Sequence, residues 1–207
     1  LVDGKVDAFV IGSELKGLTK VTDTPGNYPA VNQLTALANI VKTILGSEVM
    51  VTYAADWSEY HHTDGGWYNL DTLWASNDID VIGIDAYFPL TDIPQSGYDV
   101  NAVIDGWTSG EGYDWYYSDP GRTTQAPLGA AYAWKNLEWF WNNTHTNPDS
   151  STTFWVPQSK PIWFTEYGYP SVDGATNQPN VFFDPQSVSS ALPYHSKGRI
   201  DFRAQRT

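Results

Sequence analysis

The sequence predicts a parallel α/β fold, and three observations carry that expectation. Apolar, β-branched runs alternate with helical periodicity in the order strand, helix, strand, short helix, strand, long insertion with helix, strand. Two of the runs, Phe9-Val10-Ile11-Gly12-Ser13-Glu14 and Ile162-Trp163-Phe164-Thr165-Glu166-Tyr167-Gly168, are near-continuous rather than alternating, as suits strands buried on both faces of a sheet. Each of them ends its apolar stretch in a glutamate. The C-terminal rim of parallel strands is where α/β barrels keep their chemistry.

Residues 8–15 read as the first strand, followed over 17–29 by a loop rich in Gly, Pro and Thr. Val31, Leu34, Leu37, Ala38, Val41, Ile44 and Leu45 recur at helical spacing, and Gly46 supplies the stop. Residues 48–55 are the second strand, 69–77 a short helix and 80–88 the third strand, which Pro89 ends. The stretch 91–127 is functional or disordered by its length, and its Trp107, Tyr113, Trp115, Tyr116 and Tyr117 argue against disorder. Residues 128–143 are expected to form a second helix with Tyr132, Trp134, Leu137 and Trp141 as its apolar stripe, and 161–169 the fourth strand. Beyond Pro170 mostly loop is expected, up to a helix start near Ser196. Four strands do not close an eight-stranded barrel, so this is half of a barrel or a small open sheet.

The chain of 207 residues fits one domain, 1–207, and shows no internal repeat. A net charge of −13 argues against nucleic acid and anionic membranes as partners, because both reward clustered Lys and Arg. No run reaches the ~20 apolar residues that span a bilayer. Zero cysteines exclude disulfides, thiolate catalysis and thiolate metal sites. Ten Trp and 13 Tyr beside one Met are compatible with sugar stacking as well as with core packing. Leu1 is not an initiator Met, and the first strand reads as belonging inside a larger fold.

Four segments carry a resemblance: Ile11-Gly12-Ser13-Glu14-Leu15, Val51-Thr52-Tyr53-Ala54-Ala55-Asp56-Trp57, Ile82-Gly83-Ile84-Asp85-Ala86-Tyr87-Phe88-Pro89-Leu90 and Trp163-Phe164-Thr165-Glu166-Tyr167-Gly168-Tyr169-Pro170. In this order they resemble clan A glycoside hydrolases, especially the β-mannanase-like branch. The chain is more similar still to the glycoside-hydrolase-like TIM-barrel domain in tail proteins of gene transfer agents and related phages. Gly110-Glu111-Gly112-Tyr113-Asp114-Trp115-Tyr116, Trp155-Val156-Pro157-Gln158-Ser159-Lys160-Pro161 and Asn177-Gln178-Pro179-Asn180 resemble that tail group specifically. The resemblance implies a (β/α)8 TIM barrel of which this chain holds only strands four to seven, with strands one to three and eight missing. It implies a virion or phage-like tail particle as the location, otherwise an extracellular one, with other tail proteins as partners.

It also implies roles. Glu14 corresponds to the acid/base at the end of strand four and Glu166 to the nucleophile at the end of strand seven. A retaining double displacement on a β-linked polysaccharide or host surface glycan would follow. Ser13 stands where the clan usually has an Asn that holds the substrate 2-hydroxyl. Tyr87 would hydrogen-bond Glu166, Trp57 and Trp163 would stack on sugars, and Asp56 and Asp85 would contact hydroxyls. The alternative for Glu14 is to cap the following loop or pair with Lys16, and for Asp85 to serve as a structural hydrogen-bond acceptor. One of Trp163 and Phe164 is expected to be ordinary core, since neighbours on a strand face opposite ways. His61, His62 and Asp64 suggest a metal site, but adjacent histidines on a Gly-rich loop should point apart and no third imidazole lies near in sequence, so no metal is expected. No cofactor is expected either. The other class of function is a barrel that binds glycan or shapes the tail without turnover.

Overall fold

The computed structural model describes residues 6–94, 99–181, 183, 184, 186, 187 and 190–203. The chain divides into two compact units, Leu1–Asp85 with Glu138–Glu166 and Ala86–Leu137 with Tyr167–Thr207. The first unit holds a four-stranded parallel sheet built from β1 (Ala8–Ser13), β2 (Met50–Asp56), β3 (Ile82–Asp85) and β6 (Ile162–Glu166), in the order β1-β2-β3-β6. All strands run the same way, so their C-terminal ends share one rim. β2 and β3 are central and buried on both faces, which explains their nearly unbroken apolar sequences.

The crossover from β1 to β2 is α2 (Pro29–Leu45), preceded by a single turn, α1 (Lys16–Thr19), which overlaps the start of the expected 17–29 loop. Pro29 opens α2, where its missing N–H costs nothing. Val31, Leu34, Ala38 and Val41 form the buried stripe, whereas Leu37 and Ile44 are exposed. Gly46, at φ 97°, ends the helix in a conformation that side chains resist. The expected helix over 69–77 is only the turn α3 (Asp71–Trp74). The strands are also shorter than expected: β3 stops at Asp85 and β6 at Glu166.

A buried imidazole anchors the return segment of this unit. His145 meets the Asp71 carboxylate through Nδ1 at 2.8 Å and the Phe140 carbonyl through Nε2 at 2.9 Å. A carbonyl only accepts, so Nε2 carries a proton. The ring stacks on Tyr68 at 4.4 Å and lies parallel to Trp155 at 5.8 Å. His61 and His62 do not point apart; their Nδ1 atoms lie 2.8 Å from each other. The His61 ring packs among Tyr60, Phe140 and Tyr68, and this packing turns it toward its neighbour. Among the described residues no group of three or more His, Cys, Asp or Glu is arranged to hold a metal ion.

In the second unit, the long insertion is ordered by α4 (Val100–Asp105), capped by the Asp99 side chain, and by an antiparallel hairpin of β4 (Trp115–Tyr117) and β5 (Gln125–Pro127). Arg122 clamps the hairpin. Its guanidinium bonds both Glu111 oxygens at 2.8 and 2.7 Å and lies between the rings of Tyr117 and Tyr194 at 4.0 and 3.8 Å.

The helix expected over 128–143 is broken into a 3-10 turn, Ala130–Tyr132, and α5 (Leu137–Asn142). Between them the Lys135 amide donates to the Gly112 carbonyl instead of continuing a helical ladder. The aromatics read as one stripe serve separate sites. Trp134 stacks on Phe88 in the second unit, and Trp141 donates to the Lys160 carbonyl in the first. No helix begins at Ser196, because the Asp173 carboxylate draws in the Ser196 hydroxyl and the amides of Lys197 and Arg199. No helix among the described residues is long and apolar enough to cross a membrane.

β1 and β6 are the outer strands of the described sheet. Phe9 is 41% exposed, and Trp163 and Phe164 are 40% and 43% exposed, so neither of that pair is core. An edge strand leaves room beside both of its faces, and this overrides the alternation argument. Exposed apolar parallel edges are templates for further pairing. The isolated 207-residue chain is therefore expected to self-associate in sedimentation velocity, and a monodisperse, cooperatively melting monomer would contradict this. At the sheet's centre, a Cβ on Gly83 would lie 2.4 Å from the Tyr53 carbonyl oxygen. Gly83→Ala should cost about 1–3 kcal/mol in urea unfolding, the usual scale of overpacking.

Candidate active site

The rim of the sheet gathers carboxylates: Glu14 follows β1, Asp56 ends β2, Asp85 ends β3 and Glu166 ends β6. Asp56 is in register with Asp85, and Asp85 with Glu166. Both glutamates are exposed, while Asp85 is 0% exposed.

Each glutamate comes just after a register break. Val10 pairs with Thr52 and Ser13 with Ala54, so β1 spends three steps where β2 spends two. Ile84 pairs with Phe164 and Asp85 with Glu166, so β6 spends two steps where β3 spends one. The extra residue in β6 is Thr165. A bulge of this kind re-aims the side chains that follow it. Glu14 itself adopts φ 50°, in the left-handed region that glutamate rarely occupies, and its amide donates to the Ala54 carbonyl at 2.9 Å.

Asp85 uses both carboxylate oxygens as acceptors, from the Ser13 hydroxyl at 3.1 Å and the Thr165 hydroxyl at 2.7 Å. It thereby ties the ends of β1, β3 and β6 together. Ser13, expected to meet a substrate hydroxyl, is engaged with Asp85. Asp56 accepts from the Ser58 amide at 2.8 Å and lies 4.0 Å from Lys16 Nζ. Lys16 thus turns toward Asp56 and Ser58 and is not the partner of Glu14. Trp57 is half-buried just beyond β2, and Trp163 is exposed on β6. Tyr87 belongs to the second unit, where its ring lies 3.8 Å from a Cβ built on Gly168.

Partial burial raises the Glu14 carboxyl above the ordinary glutamate range, and the charges of Asp56, Asp85, Glu166 and Glu59 push it the same way. Burial, with Glu166 and Asp56 nearby, likewise raises Asp85 against the opposing hydroxyl bonds. Two residues in this neighbourhood went unrecognised in the sequence. Tyr53 and Glu59 lie buried beneath Glu14, the tyrosine on β2 and the glutamate in the turn after it. A tyrosine inside a buried strand needs a hydrogen-bond partner, and this was the one available signal.

In α/β-barrel proteins the chemistry sits at the C-terminal ends of parallel strands, the rim that carries these carboxylates. The family model of the GTA TIM-barrel-like domain matches residues 2–207, and the chain belongs to that family. The chain matches none of the curated proteins.

A group raised in the folded state favours the folded protein while protonated and loses that contribution as pH rises through its folded pKa. For Glu14, ionisation at neutral pH therefore opposes folding, and Glu14→Gln should be more stable than the parent chain at pH 7. The difference should vanish below the unfolded pKa of about 4.3. Urea unfolding at pH 7 and pH 3.5 measures both; a stability difference independent of pH would contradict the assignment.

Proposed function

We propose that this domain is a retaining glycoside hydrolase that cleaves a β-linked polysaccharide, with Glu14 as acid/base and Glu166 as nucleophile. The observation that carries the reading is a pair of exposed glutamates on one rim of a parallel sheet, electrostatically coupled, with Glu14 biased toward its protonated form. Such a pair meets the needs of the chemistry: an acid that is neutral at the start and a second carboxylate that attacks. Glu14 donates its proton to the leaving oxygen while Glu166 attacks the anomeric carbon. Glu14 then activates the water that releases the sugar, so the group alternates between acid and base. Asp85 holds the two strand ends in place, and Trp57 and Trp163 offer rings for stacking.

The four strands correspond in this reading to strands four to seven of a (β/α)8 barrel. Family membership supports a setting in a gene transfer agent or phage-like tail particle, with cell-envelope or capsular glycan as substrate and other tail proteins as neighbours.

The test is release of reducing ends from a panel of β-linked polysaccharides, with the anomer formed first read by NMR. Retention of configuration is expected. Glu14→Gln should lower kcat by roughly 10²–10⁴-fold, the range general acid–base catalysis supplies, and Glu166→Gln, which removes the nucleophile, by at least as much. Activity should also fall on the alkaline side as Glu14 loses its proton, at a pH above the ordinary glutamate range. Saturable glycan binding without turnover would instead identify a binding module of the tail.

A further inference from the structure

Glu59 takes no part in the mechanism above, yet it is a carboxylate only 3% exposed beside the site. It accepts three kinds of hydrogen bond. Tyr53 Oη lies 2.9 and 3.1 Å from its two oxygens, the Asp56 amide 3.2 Å from Oε2, and the Thr19 hydroxyl bonds Oε1. Tyr53 Oη in turn lies 2.6 Å from the amide nitrogen of Leu15, the residue after Glu14. The proton directions follow from chemistry alone. An amide N–H only donates, so Tyr53 accepts from Leu15, and its own hydroxyl proton is directed at the Glu59 carboxylate, which accepts it.

This relay meets the backbone at its strained point. Glu14 sits at φ 50°, with its own amide bound to Ala54 and the next amide bound to Tyr53. Left-handed backbone at a non-glycine residue persists only where the surroundings over-determine it. Fixing consecutive amides on either side of the Glu14 Cα does this. The remaining links extend into the fold: the Thr19 carbonyl accepts from Asn69, and the Glu59 amide donates to the Asp56 carbonyl.

We infer that Glu59 and Tyr53 are positioning residues, a buried relay that holds Glu14 in its reactive backbone conformation through the Leu15 amide. The kinetic consequence rests on the hydrolase reading; the geometric one stands independently. Neither residue touches the reacting atoms, so their effect falls on kcat through the aim of Glu14 and hardly on KM.

The experiment uses the full chain and two conservative variants. Tyr53→Phe keeps the ring and deletes the oxygen that receives the Leu15 amide. On whichever polysaccharide the parent chain cleaves, kcat is expected to fall roughly 10–100-fold with KM within about twofold, the scale of a misplaced catalytic group. Glu59→Gln leaves a carbonyl oxygen for Tyr53 and removes the charge. It should retain kcat within about fivefold and shift the alkaline limb toward lower pH, since one of the four carboxylates facing Glu14 is neutralised. A side-chain carbon NMR titration of Glu14 and the amide shift of Leu15 are read on all three proteins, independent of turnover. Unchanged Leu15 shift, Glu14 titration and kcat in Tyr53→Phe would overturn the relay, whatever its thermal stability. If the parent chain turns over no glycan, the hydrolase reading fails by itself. The Leu15 shift and Glu14 titration then decide the relay: movement in Tyr53→Phe upholds it, and no movement sinks it.

Discussion

The rim depends on the buried carboxylate of Asp85. Its two oxygens accept hydrogen bonds from the Ser13 and Thr165 hydroxyls, so β1 and β6 are both tied to the end of β3. These are the residues immediately before Glu14 and Glu166. A carboxylate at this depth is costly when ionised, and burial indeed raises Asp85. Two hydroxyl donors offset part of that cost. Remove either, and the same charge would remain buried with one oxygen unmatched. The arrangement therefore couples the placement of the two glutamates through a single group.

Around that group the site concentrates like charges instead of cancelling them. Glu14 feels Asp56, Asp85, Glu166 and Glu59, and its nearest cation by sequence, Lys16, is directed to Asp56 and Ser58. The second unit, by contrast, brings Arg122 to both Glu111 and Asp92. The contrast inside one chain separates the two purposes. Arg122 neutralises its partners and locks a hairpin, whereas at the rim burial and the neighbouring carboxylates leave Glu14 more readily protonated. Perturbed carboxylates of this kind cluster at functional sites, which supports the proposed reading of the rim.

The sheet, α2 and the rim carboxylates were legible because each leaves a local mark. β2 and β3 are buried on both faces and so lack alternation, and α2 has Pro29, a 3.6-residue stripe and Gly46. The helix expected over 128–143 was not legible as two pieces. Its aromatic spacing mimics a stripe, while Trp134 and Trp141 answer to different partners remote in sequence. The strand ends were overrun because apolar residues such as Tyr167 and Phe88 continue past the last ladder bond. Glu59 and Tyr53 escaped for a related reason: six positions apart, they meet only because a turn folds the glutamate back along β2.

The register breaks join fold and function. A regular parallel strand alternates its side chains strictly, so the last residue faces wherever the pattern leaves it. Inserting one residue reverses that parity from the bulge onward. In β6 the inserted Thr165 also supplies the hydroxyl for Asp85, so one residue both redirects Glu166 and secures the redirected end. In β1 the break is followed by Ser13, which does the same for the Glu14 end, and the left-handed turn at Glu14 completes the change of direction. Two strands reach the same solution with different residues: an irregularity to aim the carboxylate and a hydroxyl bond to Asp85 to keep it aimed. Since the aim is achieved by distortion, it must be held by buried groups behind it. Asp85 holds both strand ends in this way, and the Glu59–Tyr53 pair reaches the Glu14 end through the Leu15 amide.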